Sequence, residues 1–180
     1  KPFFTSTGGG VTLSGGEATL QMDFASQLLQ ALKREGIHTA IETSGFFDYA
    51  HFKDKLLPWL DLIYYDIKLI DDEASKQYCG QSNQRILDNF CRLLTDAHIP
   101  IIPRIPLIPG ITTTEENLRG IAAFLDKHGV KSCALMPYNP LWSDKLRKLG
   151  LTPLYQHSGF MTPAEQAACA RHFTKPHSSS

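Results

Sequence analysis

Apolar positions along the chain switch repeatedly between strand spacing and helix spacing. Val11–Ser14 is a short β-branched run at strand spacing. Met22–Glu35 follows at helical spacing, with Phe24, Leu28, Leu29 and Leu32 on one stripe and Gly36 as its stop. His38–Thr43 predicts the next strand, and Asp48–Leu60 a helix disturbed near its end by Pro58. Leu62–Lys68 (LIYYDIK) is strongly apolar, the pattern of a strand covered on both faces. A short helix at Asp72–Tyr78 precedes a longer one at Asn83–Ala97, for which Ser82 offers an N-cap. Pro100–Leu107 (PIIPRIPL) must be extended, because its three prolines exclude a helix; prolines so dense suit an edge strand. A helix at Glu115–Lys127 opens at Thr112-Thr113-Thr114, and Lys131–Pro137 is a fifth strand. A short helix within Leu141–Gly150 and a last one at Pro163–Thr174, capped by Thr162, complete the pattern before a disordered tail at 176–180.

Five strands, each followed by a helix, require parallel pairing and right-handed crossovers. No GxGxxG follows a strand, which argues against a dinucleotide-binding sheet. What remains is an α/β fold of the partial TIM-like barrel kind, about five βα units over residues 1–175. The 180 residues suit one domain or part of one. Lys1-Pro2 is not a natural initiation, and a strand follows almost at once, so the expectation is a fragment whose N-terminal portion is absent.

Charge removes several function classes. Lys plus Arg number 18 and Asp plus Glu 18, so no basic field draws nucleic acid. The apolar runs are shorter than the roughly 20 residues a membrane span needs, and no secretory signal is visible, which gives a cytoplasmic expectation. The four cysteines, Cys79, Cys91, Cys133 and Cys169, form no CxxC pair and read as thiols in a reducing compartment.

In β/α barrels chemistry sits at the C-terminal ends of strands. The five predicted strands place Gly15, Gly16 and Glu17, then Glu42 and Thr43, then Asp66 and Lys68, then Arg104, then Asn139 at or near that rim. Charges inside apolar strands are costly to bury unless paired. Asp66 and Lys68, two apart on one strand, share a face; the simplest alternative is a structural ion pair between them. For Glu17 the alternative is a helix-capping carboxylate. Bare glycine backbone beside a carboxylate suits an ammonium group, and lysine or arginine across the rim suits a carboxylate. Together they sort the two charged ends of an amino-acid moiety. The seven histidines fall at the opposite end of the strands or on helices and loops without ligand spacing, and are expected to be non-catalytic.

The ordered motifs GGGVTLSGGEATLQ, KREGIHTAIETSG, DLIYYDIKLIDDE, YCGQSN, PRIPLIPGIT and LMPYN resemble the activating enzymes of glycyl radical enzymes, a radical S-adenosylmethionine (SAM) family of which the pyruvate formate-lyase type is best known. The resemblance runs from about Gly8 to Asn139. It implies a partial (β/α)6 barrel, of which the five βα units here lack the first, a [4Fe-4S] cluster on a CxxxCxxC loop, and SAM cleaved to a 5′-deoxyadenosyl radical that takes hydrogen from a partner's glycine. It implies SAM contacts at Gly15, Gly16, Glu17, Glu42, Asp66, Lys68, Arg104 and Asn139, and a monovalent cation near Glu42, Thr43 and Asp66. Its implied partners are a glycyl radical enzyme and an electron donor such as flavodoxin or ferredoxin. Three positions depart from the family: CxxxCxxC is not in these 180 residues, Glu42 stands where the pyruvate formate-lyase type has Asp, and Asn139 where it has His. Three other readings compete. Leu13-Ser14-Gly15-Gly16 matches an ABC-type ATPase signature, but no P-loop GxxxxGK[ST] accompanies it. Lys68 at a strand end fits a Schiff-base aldolase, although the nearby carboxylate of Asp66 would favour an ammonium over the free amine that such chemistry needs. The third is a non-catalytic binding domain.

Overall fold

The computed structural model describes residues 9–141, 150, 155 and 157–173. Five strands, β1 (Gly10–Leu13), β2 (His38–Thr43), β3 (Leu62–Asp66), β4 (Ile101–Leu107) and β5 (Ala134–Pro137), form one sheet in sequence order. Every pairing is parallel, with registers such as Ile41↔Ile63, Asp66↔Arg104 and Pro106↔Met136. The crossovers carry α1 (Met22–Arg34), α2 (Tyr49–Lys55), α3 (Asp72–Cys79), α4 (Gln84–Asp96) and α5 (Glu115–Lys127), and α6 (Pro163–Ala170) follows β5. This alternation is the partial barrel that the periodicity predicts.

Local chemistry fixes the helix starts. Asp48, Asp71, Thr114 and Thr162 each accept a backbone N–H from their own first turn, and Thr162 with Glu165 completes a capping box. Ser82 is not the cap of α4: Asn83 holds that place with no side-chain cap bond, while the Ser82 hydroxyl accepts from the Gln84 N–H at 3.3 Å. The Asp48–Leu60 segment is a helix only to Lys55, followed by a 3₁₀ turn at Leu57–Trp59 around Pro58.

The core lies between the helices and one face of the sheet. Ile41, Ile63, Tyr65, Ile67, Ile105 and Leu107 meet Leu29, Phe52, Phe90, Leu93, Leu118 and Ile121 there. Each such side chain contributes about 1.5–3 kcal/mol by leaving water. The other face is concave and only half covered: Leu62, Tyr64 and Asp66 of β3 are partly exposed. The expectation that LIYYDIK is covered on both faces is therefore corrected. Its apolar composition comes from one buried face plus Leu62 and Tyr64 on the open one.

Two further expectations are corrected. Of the stripe expected on α1, Leu29 is fully buried and Leu28 and Leu32 are half-buried, but Phe24 is 64% exposed, and Met22, Ala25 and Ser26 complete the buried face. Proline-rich β4 is not an edge strand; it lies between β3 and β5. Ile63 and Ile67 donate to the carbonyls of Pro100 and Arg104, so even-numbered positions of this strand face β3 and odd ones face β5. Pro106 thus faces β3 beyond the last pair, Asp66↔Arg104, and Pro103 faces β5 before the N–H of a first pair, Arg104↔Ala134. The missing donors fall where each ladder has ended or not begun.

Residues 142–149 of the helix expected in Leu141–Gly150, and the 176–180 tail, lie outside the described residues. Among the described residues no helix is long and apolar enough to cross a membrane.

Candidate functional site at the concave rim

Strand parity builds the site. Glu42 opposes Tyr64, and Asp66 opposes Arg104, so these four side chains share the concave face near its C-terminal rim. Arg104 bridges the two carboxylates: Nη1 lies 2.7 Å from Glu42 Oε1, and Nε donates to Asp66 Oδ1 at 2.9 Å. Its guanidinium carbon also sits 5.3 Å from the centroid of the Tyr64 ring. Burial opposes the Arg104 charge, but hydrogen bonds and attraction from Glu42 and Asp66 outweigh it and raise the pKa. The Asp66–Lys68 ion pair considered from sequence is not what forms; Asp66 pairs with Arg104 instead.

Lys68 stands two residues past the end of β3. Among the described residues it makes no ion pair. It lines a cavity of about 150 Å³ with Ser44, Phe46, Asp66 and Gln81. The rim thus holds two carboxylates bridged by one guanidinium, a set that keeps one net negative charge, and, beside them, an ammonium with its donors available.

Glu17 sits at the same end of the sheet in a different state. Its Oε1 accepts from the Thr19 hydroxyl at 2.8 Å, the Thr43 hydroxyl at 2.9 Å and the Thr19 N–H at 3.3 Å. Its Oε2 accepts from the Ser44 hydroxyl at 2.6 Å and the Ser44 N–H at 2.8 Å. Burial pushes this carboxyl up, yet those donors together hold it below its ordinary range. Glu17 is also the N-cap of the 3₁₀ turn Ala18–Gln21, so the capping alternative is what the structure shows.

The loop before Glu17 is open. Gly15 has φ of +122°, a conformation that L side chains rarely adopt, and a Cβ added at Gly15 or Gly16 would meet no atom within 4 Å. Gly16 borders a separate cavity of about 570 Å³ along β1 and α1, with Leu13, Leu20 and Phe24. The structure does not bring these glycines against Arg104 or Lys68. Asn139, exposed beyond β5, accepts the Leu141 N–H at 2.9 Å. The three residues expected to hold a monovalent cation do not converge either. Thr43 points to the opposite face from Glu42, its hydroxyl committed to Glu17 and to the Gly45 N–H, and the Arg104 guanidinium lies between the two carboxylates. The four cysteines are free thiols scattered over the fold, and among the described residues no group of three His, Cys, Asp or Glu side chains can hold a metal. They do not fit an iron–sulfur cluster. The rim does fit the carboxylate end of a zwitterionic ligand, offering an ammonium without an ion pair among the described residues and a fixed guanidinium, while the bare glycine backbone lies apart at the end of β1.

Sequence reasoning missed Tyr64 and Ser44. Tyr64 was legible from its two-residue offset to Asp66; Ser44 carries no signal before its contacts with Glu17 are seen.

A parallel β/α half-barrel with charged groups gathered at the C-terminal rim defines a small-molecule enzyme scaffold. The sequence pattern described as the radical SAM superfamily matches residues 5–125. The isethionate sulfite-lyase activating enzyme of Nitratidesulfovibrio vulgaris is 41% identical over 146 residues, covering 79% of this chain and 46% of that protein. The pyruvate formate-lyase-activating enzyme of Staphylococcus epidermidis is 38% identical over 175 residues, covering 93% and 68%. A solved domain of pyruvate-formate lyase-activating enzyme from Bacteroides vulgatus superposes with a TM-score of 0.67 at 28% identity, over 92% of both chains. Streptococcus suis SuiB bound to S-adenosylmethionine, 15% identical with a TM-score of 0.52 over 78% of this chain, shares the fold. The chain belongs to the radical SAM superfamily, among the activating enzymes of glycyl radical enzymes. It spans about half the length of the Nitratidesulfovibrio relative.

Proposed function

We propose that this chain is the SAM-holding barrel of a cytoplasmic activating enzyme for a glycyl radical enzyme of the pyruvate formate-lyase kind. A reduced [4Fe-4S] cluster, which these 180 residues do not hold, would supply the one electron with which this family cleaves SAM to methionine and a 5′-deoxyadenosyl radical, and that radical would take a hydrogen atom from a glycine of the partner. None of the four cysteines here is placed to hold that cluster, and its electron would come from a donor such as flavodoxin or ferredoxin. The residues here bind and orient. Lys68 and Arg104 take the SAM carboxylate, and Asp66 and Glu42 fix Arg104 while offering acceptors to the ribose. The Gly15–Gly16 carbonyls receive the ammonium end, with Glu17 pinning their loop to β2 and adding negative charge. Asn139 supplies a neutral hydrogen-bonding group at the far side of the rim. The place between Glu42 and Asp66 belongs to the guanidinium rather than to a monovalent cation.

The observation that carries this reading is the Arg104 bridge next to an ammonium with no ion pair among the described residues. Its test is anaerobic reconstitution of the protein together with its cluster-binding region, followed by reduction in the presence of SAM. The expected products are 5′-deoxyadenosine and methionine, with a glycine-centred radical appearing when a glycyl radical enzyme is added. A reconstituted, reduced protein that leaves SAM intact would contradict the reading.

A further inference from the structure

The last sheet bond of β3 is the Ile67 N–H donating to the Arg104 carbonyl at 2.9 Å. Beyond it the ladder no longer fixes the backbone that carries Lys68. Two buried amides take over. Asn117, on the first turn of α5 and 5% exposed, donates from Nδ2 to the Lys68 carbonyl at 3.0 Å and accepts the Ile70 N–H on Oδ1 at 2.9 Å. Asn83, 4% exposed, donates from Nδ2 to the Leu69 carbonyl at 3.0 Å and the Ile70 carbonyl at 2.8 Å.

The same Asn117 Nδ2 reaches the Thr112 carbonyl at 2.8 Å. The Thr112 hydroxyl in turn donates to the Pro106 carbonyl and accepts the Ile108 N–H. One side chain therefore ties the exit of β3 to the exit of β4, the strands that carry Asp66 and Arg104. α5 presses close against this loop: a Cβ at Gly120 would lie 2.6 Å from Ile70 Cγ2. Buried amides are retained at a desolvation cost unless their hydrogen bonds are satisfied, and a satisfied network rigidifies what it touches.

We propose that Asn83 and Asn117 are positioning residues for Lys68, holding its backbone so that the ammonium meets the carboxylate of bound SAM at a fixed distance from Arg104. The inference rests on the SAM reading above. Neither amide touches the ligand; each acts through the 68–70 backbone. Displacing a charged contact by a fraction of an ångström to an ångström lowers affinity on the order of tenfold or more.

The test is SAM affinity by isothermal titration calorimetry on the purified chain. The variants are Asn117→Ala, Asn83→Ala, Lys68→Ala and the two doubles that combine Lys68→Ala with each asparagine change. Circular dichroism and thermal melting run in parallel, and Asn83→Ser or Asn117→Ser replaces whichever alanine variant at that position fails to fold. The expected result is a loss of about tenfold for each folded asparagine variant, with no further loss when Lys68→Ala is added. Unchanged affinity in folded asparagine variants overturns the proposal, as do effects that multiply fully with Lys68→Ala. A Lys68→Ala chain that binds SAM as the parent does removes the reading itself, and the inference falls with it.

Discussion

Glu17 and Arg104 are both charged, both partly buried and both at the C-terminal end of one sheet, yet they do different work. They lie on opposite sides of β2, where the consecutive residues Glu42 and Thr43 point to opposite faces. Glu17 meets Thr43 on the helix side, and all the donors around it come from the protein: two Thr hydroxyls, the Ser44 hydroxyl and two backbone N–H groups. Arg104 meets Glu42 on the concave side, where Lys68 adds an ammonium bound to nothing charged among the described residues. A charge whose hydrogen-bonding capacity is used up locally fixes structure. A charge set with capacity left over, facing open space, is where a ligand's charges can be answered.

Breaking the closed side should hurt folding most. Gly45 belongs to it through its N–H to the Thr43 hydroxyl, has φ of +82°, and has the Tyr65 hydroxyl where a Cβ would go. Gly45→Ala is expected to cost about 2–4 kcal/mol from strain and overpacking, read by urea unfolding. Glu17→Gln should cost about 1–3 kcal/mol, since donors aimed at a carboxylate lose their charged acceptor. Its pH signature has a definite sign. The Glu17 carboxyl is held below its ordinary value of 4.5, so its stabilisation is complete above that pH and is lost as pH falls through the lower folded value. The parent should therefore lose stability in that acid window more steeply than Glu17→Gln.

Breaking the open side should leave the fold alone. Lys68→Ala is expected to weaken SAM binding at least about tenfold, or roughly 1.4 kcal/mol, while its melting temperature stays with the parent's. Equal affinity would erase the distinction between the two charge sets. The smallest effect belongs to neither. Phe24→Gln, at a 64% exposed position on α1, should change stability by no more than about 0.5 kcal/mol.

The sheet was legible because a two-residue period and helix spacing are both written in side-chain type. Parity alone places Glu42, Tyr64, Asp66 and Arg104 on one face once register is known. Register is what the residues do not state. It moved β4 from the expected edge to an interior place, because the prolines' missing donors fall outside the paired span. Phe24 fits the helix stripe that contains Leu29, but the face that packs joins Leu29 to Met22, Ala25 and Ser26 and leaves Phe24 at its exposed border. Lys68 was read as part of the strand, whereas β3 ends at Asp66 and leaves it on a loop. The amides of Asn83 and Asn117 were invisible for another reason: their partners in the 68–70 segment are backbone groups 13 to 49 positions away, and every residue has such groups.

The central claim is that SAM is held by the open charge set on the concave rim. The most direct measurement is an NMR titration of the labelled chain with SAM, following the side-chain Nε–Hε of Arg104 and the backbone amides of Gly16, Lys68 and Ile70. SAM should give saturable shifts at these groups, lost in Lys68→Ala. Saturable binding that leaves the Arg104 and Lys68 signals in place, or shifts confined to residues away from the rim, would contradict it.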